Sequence, residues 1–156
     1  MERIAYSMGN LGDWSGKEFG VSEWTTITQE QINEFASCTG DHQWIHVDVE
    51  RCKTESPFGA PIAHGFLTLS LLAQLLMGMG VVPAGAKQAV NAGLDNVRFK
   101  APVRANARVR ARVKLGSIQS KGPERTLVPA ITTLEIEGED APALTGEISV
   151  MIFGAA

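Results

Sequence analysis

From Phe66 the chain reads Phe-Leu-Thr-Leu-Ser-Leu-Leu-Ala-Gln-Leu-Leu-Met-Gly-Met, apolar on almost every face of a 3.6-residue period. A helix with that pattern needs protein around it. Carried through Met79 it would run roughly 20 Å at 1.5 Å per residue. Ser70, Gln74, Gly78 and Gly80 interrupt the stretch from Phe66 to Val82, which falls short of a comfortable bilayer span and predicts a buried core helix. The rest of the fold must supply a surface that wraps it.

That surface is written downstream. Val81-Val82-Pro83-Ala84-Gly85 ends the helix, and from Ala107 to Leu115 the pattern alternates strictly. Ala107, Val109, Ala111, Val113 and Leu115 fall on one face; Arg108, Arg110, Arg112 and Lys114 fall on the other. This predicts an antiparallel strand with one wet face. Weaker strand signals cover 89–99, 126–137 and 143–153, separated by Pro102, by Ser120-Lys121-Gly122-Pro123 and by Gly138-Glu139-Asp140-Ala141-Pro142. An antiparallel sheet curled around one long helix is an α+β arrangement, and 156 residues suffice for it as one domain spanning 1–156.

Upstream of the helix, residues 1–21 are Gly-rich with scattered aromatic residues and predict an irregular arm over the body. Ser22 to Ile27 has the β-branched and aromatic content of a short strand. Thr28-Gln29-Glu30-Gln31 matches a capping box, Ile32, Phe35 and Ala36 keep helical spacing, and Gly40 suits a left-handed terminator after Thr39. A loop over Asp41–Val47 follows, Asp48 caps a short helix over Val49–Glu55, and Pro57, Gly59 and Pro61 punctuate the approach to Gly65.

Composition excludes several classes of function. The two cysteines, Cys38 and Cys52, form no Cys-x-x-Cys pair or ligand-spaced cluster, so both are read as reduced packing residues. No basic segment followed by an apolar stretch marks the start, and a cytoplasmic location is expected. A net charge of −3 argues against general nucleic-acid affinity, yet nine of the fourteen Lys and Arg residues lie between Arg98 and Arg125 with Glu124 as the lone acid. That asymmetry favours a small anionic partner such as a phosphorylated molecule. The stripe Arg108, Arg110, Arg112, Lys114 is read either as a solvated strand face or as a phosphate-docking patch together with Arg98, Lys100 or Arg104.

Chemistry concentrates in Phe35-Ala36-Ser37-Cys38-Thr39-Gly40-Asp41-His42-Gln43-Trp44-Ile45-His46 and in Pro61-Ile62-Ala63-His64-Gly65-Phe66. Asp41 and His46 supply a carboxylate and an imidazole on one loop. Gly65 opens the core helix, whose first amides lack intrahelical acceptors and carry the positive end of the dipole. An acid, a base and an amide that stabilises a developing oxyanion suit proton transfer next to a carbonyl.

Gly-Asp-x4-His, then Ala-His-Gly-Phe ahead of an apolar helix, resembles the hydratase motif of the MaoC-like dehydratases, R-specific enoyl-thioester hydratases of the hot-dog fold. Gly40-Asp41-His42-Gln43-Trp44-Ile45-His46-Val47-Asp48 is most similar to the subgroup of nodulation protein N-like proteins and bacterial 3-hydroxyacyl-thioester dehydratases. The resemblance runs from about Trp24 to the end and includes Asn96-Val97-Arg98-Phe99-x-x-Pro102-Val103. It implies that Asp41 and His46 share one water for syn addition to a 2-enoyl thioester or for the reverse dehydration, that the Gly65 amide receives the thioester oxygen, and that no cofactor or metal takes part. The substrate would be a thioester of coenzyme A or of a phosphopantetheine on an acyl carrier protein. The division of acid and base duties between Asp41 and His46 stays open.

Many members carry Asn-Pro where this chain has Gln43-Trp44, and Trp44 is expected to reshape the acyl tunnel. A serine of some members falls at Ala73, so no catalytic serine is assigned, with Ser70 nearby. The substrate-binding candidates are Gln43, Trp44, His64, Phe66 and Arg98, with His64 packing beneath the helix start. The Leu and Met side chains of 67–79 are divided between core and acyl slot. His42, His46, His64 and Cys38 lack the carboxylate-bearing helix of metallohydrolases. A thioesterase and a non-catalytic acyl-thioester-binding module are the rival readings. A sheet of this size leaves an edge, which pairing in a twofold homodimer would cover.

Overall fold

The computed structural model describes residues 6–154. Helices α1 (Gln29–Thr39), α2 (Trp44–Val47), α3 (Val49–Glu55) and α4 (Gly65–Met79) lie between the second and third strands in the chain. The strands are β1 (Glu18–Val21), β2 (Thr25–Thr26), β3 (Gln88–Phe99), β4 (Arg108–Leu115), β5 (Gln119–Ser120), β6 (Arg125–Ile136) and β7 (Leu144–Phe153). They form one antiparallel sheet in the order β1-β4-β6-β7-β3, with β2 added to β4 and β5 to β6.

The alternation in β4 does what its pattern demands. Val109, Ala111, Val113 and Leu115 are fully buried and join Leu67, Leu72, Leu75 and Leu76 of α4 in one core with Val128, Leu134, Ile148 and Ile152. The opposite face is wet and internally paired. Arg110 and Arg112 converge on Glu135 at 2.6 and 2.7 Å, and Arg108 meets Glu137 at 2.8 Å. Three of the four stripe cations are therefore neutralised by β6 and the residue after it. A docking patch is not what this face offers.

Helix α4 departs from all-round burial. Phe66 and Met77 are 68% and 69% exposed, because the sheet covers one side of the helix and leaves a stripe open. The stripe lies beside β3, an edge strand whose Val90, Leu94 and Phe99 are also exposed.

Of the irregular arm expected over 1–21, residues 1–5 lie outside the described residues, and 6–21 are more ordered than their composition implies. Met8–Trp14 forms a 3-10 turn with Met8 and Leu11 buried, and Glu18–Val21 pairs with β4. Tyr6, Trp14 and Phe19 pack edge to face at 5.0 to 5.5 Å, and the Tyr6 hydroxyl donates to the Val81 carbonyl at 2.9 Å. Three rings scattered among glycines pin the segment down, a contact set that local periodicity does not reveal. Likewise, Ser22 to Ile27 is regular strand only over Thr25–Thr26, while the flanking Ser22 and Ile27 amides donate to the Ala111 and Ala107 carbonyls and Ile27 is completely buried. No described helix is long and apolar enough to cross a membrane.

Candidate active site

The site begins with punctuation. Thr28 accepts from the Gln31 amide while the Gln31 side chain returns to the Thr28 amide, starting α1. Gly40, at φ 81°, ends it in the left-handed conformation and turns the chain into Asp41. The Asp41 carboxylate accepts from the Gln43 amide at 3.3 Å, and the chain then winds the single turn α2. Four residues cannot hold a helix alone. Gln29 donates to the His46 carbonyl at 2.8 Å, the Ile62 amide donates to the Ile45 carbonyl at 3.0 Å, and the Cys52 thiol lies 3.6 Å from the Trp44 and Ile45 carbonyls. Asp48 caps α3 through the Arg51 amide at 3.0 Å.

This scaffold fixes two imidazoles in opposite senses. His46 Nδ1 lies 2.6 Å from the Ile62 carbonyl, so that nitrogen donates and Nε2 keeps its lone pair. His64 Nε2 lies 2.9 Å from the Asp41 carbonyl, so there Nε2 donates. The rings stack with centroids 3.8 Å apart and planes 26° apart, and Phe35 closes the far side of His64 at 5.0 Å. Both histidines are buried. Burial lowers the His46 pKa, the neighbouring His64 lowers it further, and the Ile62 bond and Asp41 oppose them. His46 is thereby a neutral acceptor at neutral pH.

Beside it α4 begins. The Leu67 and Thr68 amides turn back to the His64 carbonyl at 3.0 and 3.1 Å, which leaves the Gly65 and Phe66 amides as the orphan donors of the helix start. A cavity of about 260 Å³ opens here, lined by His46, Gly65, Thr68, Phe99, Lys100 and Val103 among others. A Cβ at Gly65 would sit 3.0 Å from Phe99 Cε1, so a side chain there has to displace that ring by a few tenths of an ångström.

Asp41, His46, His64 and Gly65 are thus brought together, with Asp41 exposed and its carboxylate within 4.8 Å of the histidine donor atoms. The first three groups could hold a metal ion, with the ligand atoms limited to the Asp41 carboxylate, His46 Nε2 and His64 Nδ1, since His46 Nδ1 and His64 Nε2 are engaged by main-chain carbonyls. His42 and Cys38 stand exposed and outside the cluster.

Of the expected site residues His46 and Gly65 line the cavity; Asp41 and His64 stand beside it, and the remaining candidates do not line it. Trp44, expected in an acyl tunnel, lies under the Arg51 guanidinium at 4.2 Å. Gln43 is exposed at the start of α2 with no side-chain cap bond. Arg98 is exposed on β3 and donates to the neighbouring Val97 carbonyl. Phe66 points its exposed ring edge-on to Phe99 at 5.9 Å. Ser70 and Ala73 face a different groove, about 540 Å³, between α4 and β3.

Ile62, Thr68 and Phe99 were not among the expected site residues. Ile62 acts through its carbonyl, which no side-chain pattern reports. Thr68 bonds the Gly65 carbonyl at 2.6 Å. The run Val97 to Val103 held the signal for Phe99, but its pairing with Gly65 is a tertiary contact.

A sheet packed on one long helix, with a carboxylate and a neutral imidazole at the helix start, defines a hydratase or dehydratase of the hot-dog class. The chain belongs to the MaoC-like domain family, whose model matches residues 12–136. It is 48% identical over 145 residues to 3-hydroxyacyl-thioester dehydratase Z of Mycobacterium tuberculosis, covering 93% of this chain and 95% of that one. It is 46% identical to nodulation protein N of Rhizobium leguminosarum, covering 89% and 86%. The structure of the (R)-hydratase from A. caviae involved in PHA biosynthesis superimposes with a TM-score of 0.66 at 26% identity, over 83% of this chain and 94% of that one.

Proposed function

We propose that the protein catalyses the reversible hydration of a trans-2-enoyl thioester to the (R)-3-hydroxyacyl thioester. One observation carries this reading: His46, held by the Ile62 carbonyl with Nε2 unprotonated, faces the same cavity as Gly65 at the α4 start, with the Asp41 carboxylate beside it. A water accepted by Asp41 and His46 would lose a proton to His46 Nε2 as its oxygen bonds C3. The C2=C3 electrons shift toward the thioester oxygen, where the Gly65 and Phe66 amides donate to the growing negative charge. Protonated His46 returns the proton to C2 on the same face. The hydroxyl and the hydrogen both come from water, so the addition balances.

The assay is loss of conjugated-enoyl absorbance with crotonyl-CoA and longer analogues, in the wild type and in Asp41→Asn and His46→Gln. Rates unchanged in both variants sink the assignment; free thiol released from a saturated acyl-CoA marks a thioesterase instead.

The carrier would be coenzyme A or a phosphopantetheine arm, supported by Lys100 in the cavity wall with no ion-pair partner among the described residues. A homodimer fits the same structure. The edge of β3 is open, and Phe66, Met77, Val90, Leu94 and Phe99 form an exposed apolar set beside it. A second copy would cover both.

A further inference from the structure

His64 is 3% exposed, yet its Nδ1 has no hydrogen-bond partner among the described residues. A buried polar atom left open costs stability, and a phenylalanine would fill much of the same ring space without that cost. The imidazole is retained despite this penalty, so its other contacts must account for it. They are two. Nε2–H donates to the main-chain carbonyl of Asp41, and the ring lies flat on His46.

We propose that His64 is a positioning residue for the Asp41–His46 pair, holding the acid's backbone through Nε2–H and the base's ring by face-to-face packing. This rests on the hydratase reading above. The Asp41 carbonyl has no other partner among the described residues, and Asp41 is otherwise exposed, so its carboxylate is placed by the turn into α2 and by His64. The second effect is electrostatic. Two imidazoles 3.8 Å apart resist both being protonated, so His64 helps keep His46 in its accepting form.

Around this pair the loop contributes Asp41. Helix α1 presents the Phe35 ring and the uncharged Gln29 side chain, which donates to the His46 carbonyl. Beneath α2 lies Cys52 of α3, its thiol pushed up by burial, with Asp48 between α2 and α3 occupied by the Arg51 amide. Across the cavity stands Lys100.

The test compares His64→Gln, whose amide nitrogen reaches the Nε2 position, with His64→Asn, whose amide reaches only as far as Nδ1. With crotonyl-CoA, kcat is expected to fall about 10- to 100-fold in H64N with KM little changed, and H64Q to recover most of that loss. In both variants the acidic limb of the pH profile moves to higher pH, since the second imidazole is gone. The same coupling is read without turnover by NMR titration of the ring protons, because only three histidines must be assigned. The His46 midpoint is expected to rise in H64Q. An H64N rate equal to that of H64Q, or an unmoved His46 midpoint, overturns the proposal. Should H64N fail to fold, the H64Q midpoint decides. Absence of turnover in the wild type would instead sink the hydratase reading, and the midpoint would still decide the role of His64.

Discussion

Replacing Gly65 with alanine separates folding from catalysis. The new methyl would lie 3.0, 3.1 and 3.3 Å from Cε1, Cδ1 and Cζ of Phe99, where ordinary contact begins at 3.4 Å. The ring must therefore yield by a few tenths of an ångström. It has room to do so, being 49% exposed and edge-on to Phe66, itself 68% exposed. Overpacking a closed core costs about 1–3 kcal/mol, so this open site should sit at or below the bottom of that range. Alanine's better helix propensity, up to about 1 kcal/mol, offsets part of it. The melting temperature is then expected to move by no more than about 4 °C. Activity should respond far more, because Phe99 and Gly65 both wall the cavity and a misplacement near 1 Å can cost about 100-fold. Calorimetry and crotonyl-CoA hydration on Gly65→Ala, Phe99→Ala and the double variant complete the cycle. The Gly65→Ala loss should largely vanish when Phe99 is already alanine. A loss of the same size in both backgrounds would show that the methyl obstructs substrate directly, and the contact argument would be wrong.

Four further outcomes follow from the same coordinates. His46 binds its proton more weakly folded than unfolded, so between its lowered folded value and the ordinary 6.5 the unfolded chain holds more protons and stability rises with pH. Thermal melts should therefore fall as pH drops below about 6.5, less steeply in His46→Gln; an identical slope contradicts the burial argument. Glu135 is pulled up by burial but held low overall by Arg112 and Arg110, so Glu135→Gln should cost about 1 kcal/mol, shrinking in high salt, with hydration unaffected. Lys100→Glu should raise KM for a CoA thioester about tenfold and leave an N-acetylcysteamine thioester, which lacks phosphate, unchanged; equal shifts would remove Lys100 from phosphate contact. Leu94→Arg, on the exposed edge strand, should convert a dimer to monomer by light scattering, and a wild type already monomeric would defeat the edge-pairing idea.

What could be read in advance follows the range of each interaction. Capping boxes, the left-handed Gly40, the Asp48 cap and the β4 alternation are local, and the structure places α1, α3 and β4 within a residue of the expectation. The pairing of a carboxylate with an imidazole was visible because the two are five residues apart, although His46 proves to stand on the single turn α2 and not in the expected loop. Contacts made through the main chain were not. The Ile62 and Asp41 carbonyls choose which nitrogen of each histidine donates, and a carbonyl has no residue-type signature. The open stripe on α4 was missed for a related reason: its composition is that of a core, and only the position of β3 at the sheet edge leaves it exposed.

Those main-chain contacts also bear on the non-catalytic alternative, which drew its force from Gln43-Trp44 standing where many relatives carry Asn-Pro. Neither side chain helps hold the site. Gln43 contributes its amide to the Asp41 carboxylate, a bond that every residue except proline could make at that position. Trp44 contributes its carbonyl to the Asp48 amide and its ring to Arg51. The single turn that carries His46 is instead tied by Gln29 from α1, by the Ile62 amide and by the buried Cys52 thiol. Replacing the carboxamide and proline therefore removes no contact on which the orientation of Asp41 or His46 depends. A site whose imidazole is held by the Ile62 carbonyl and the His64 ring tolerates such a change, and the departure carries little weight against a working hydratase.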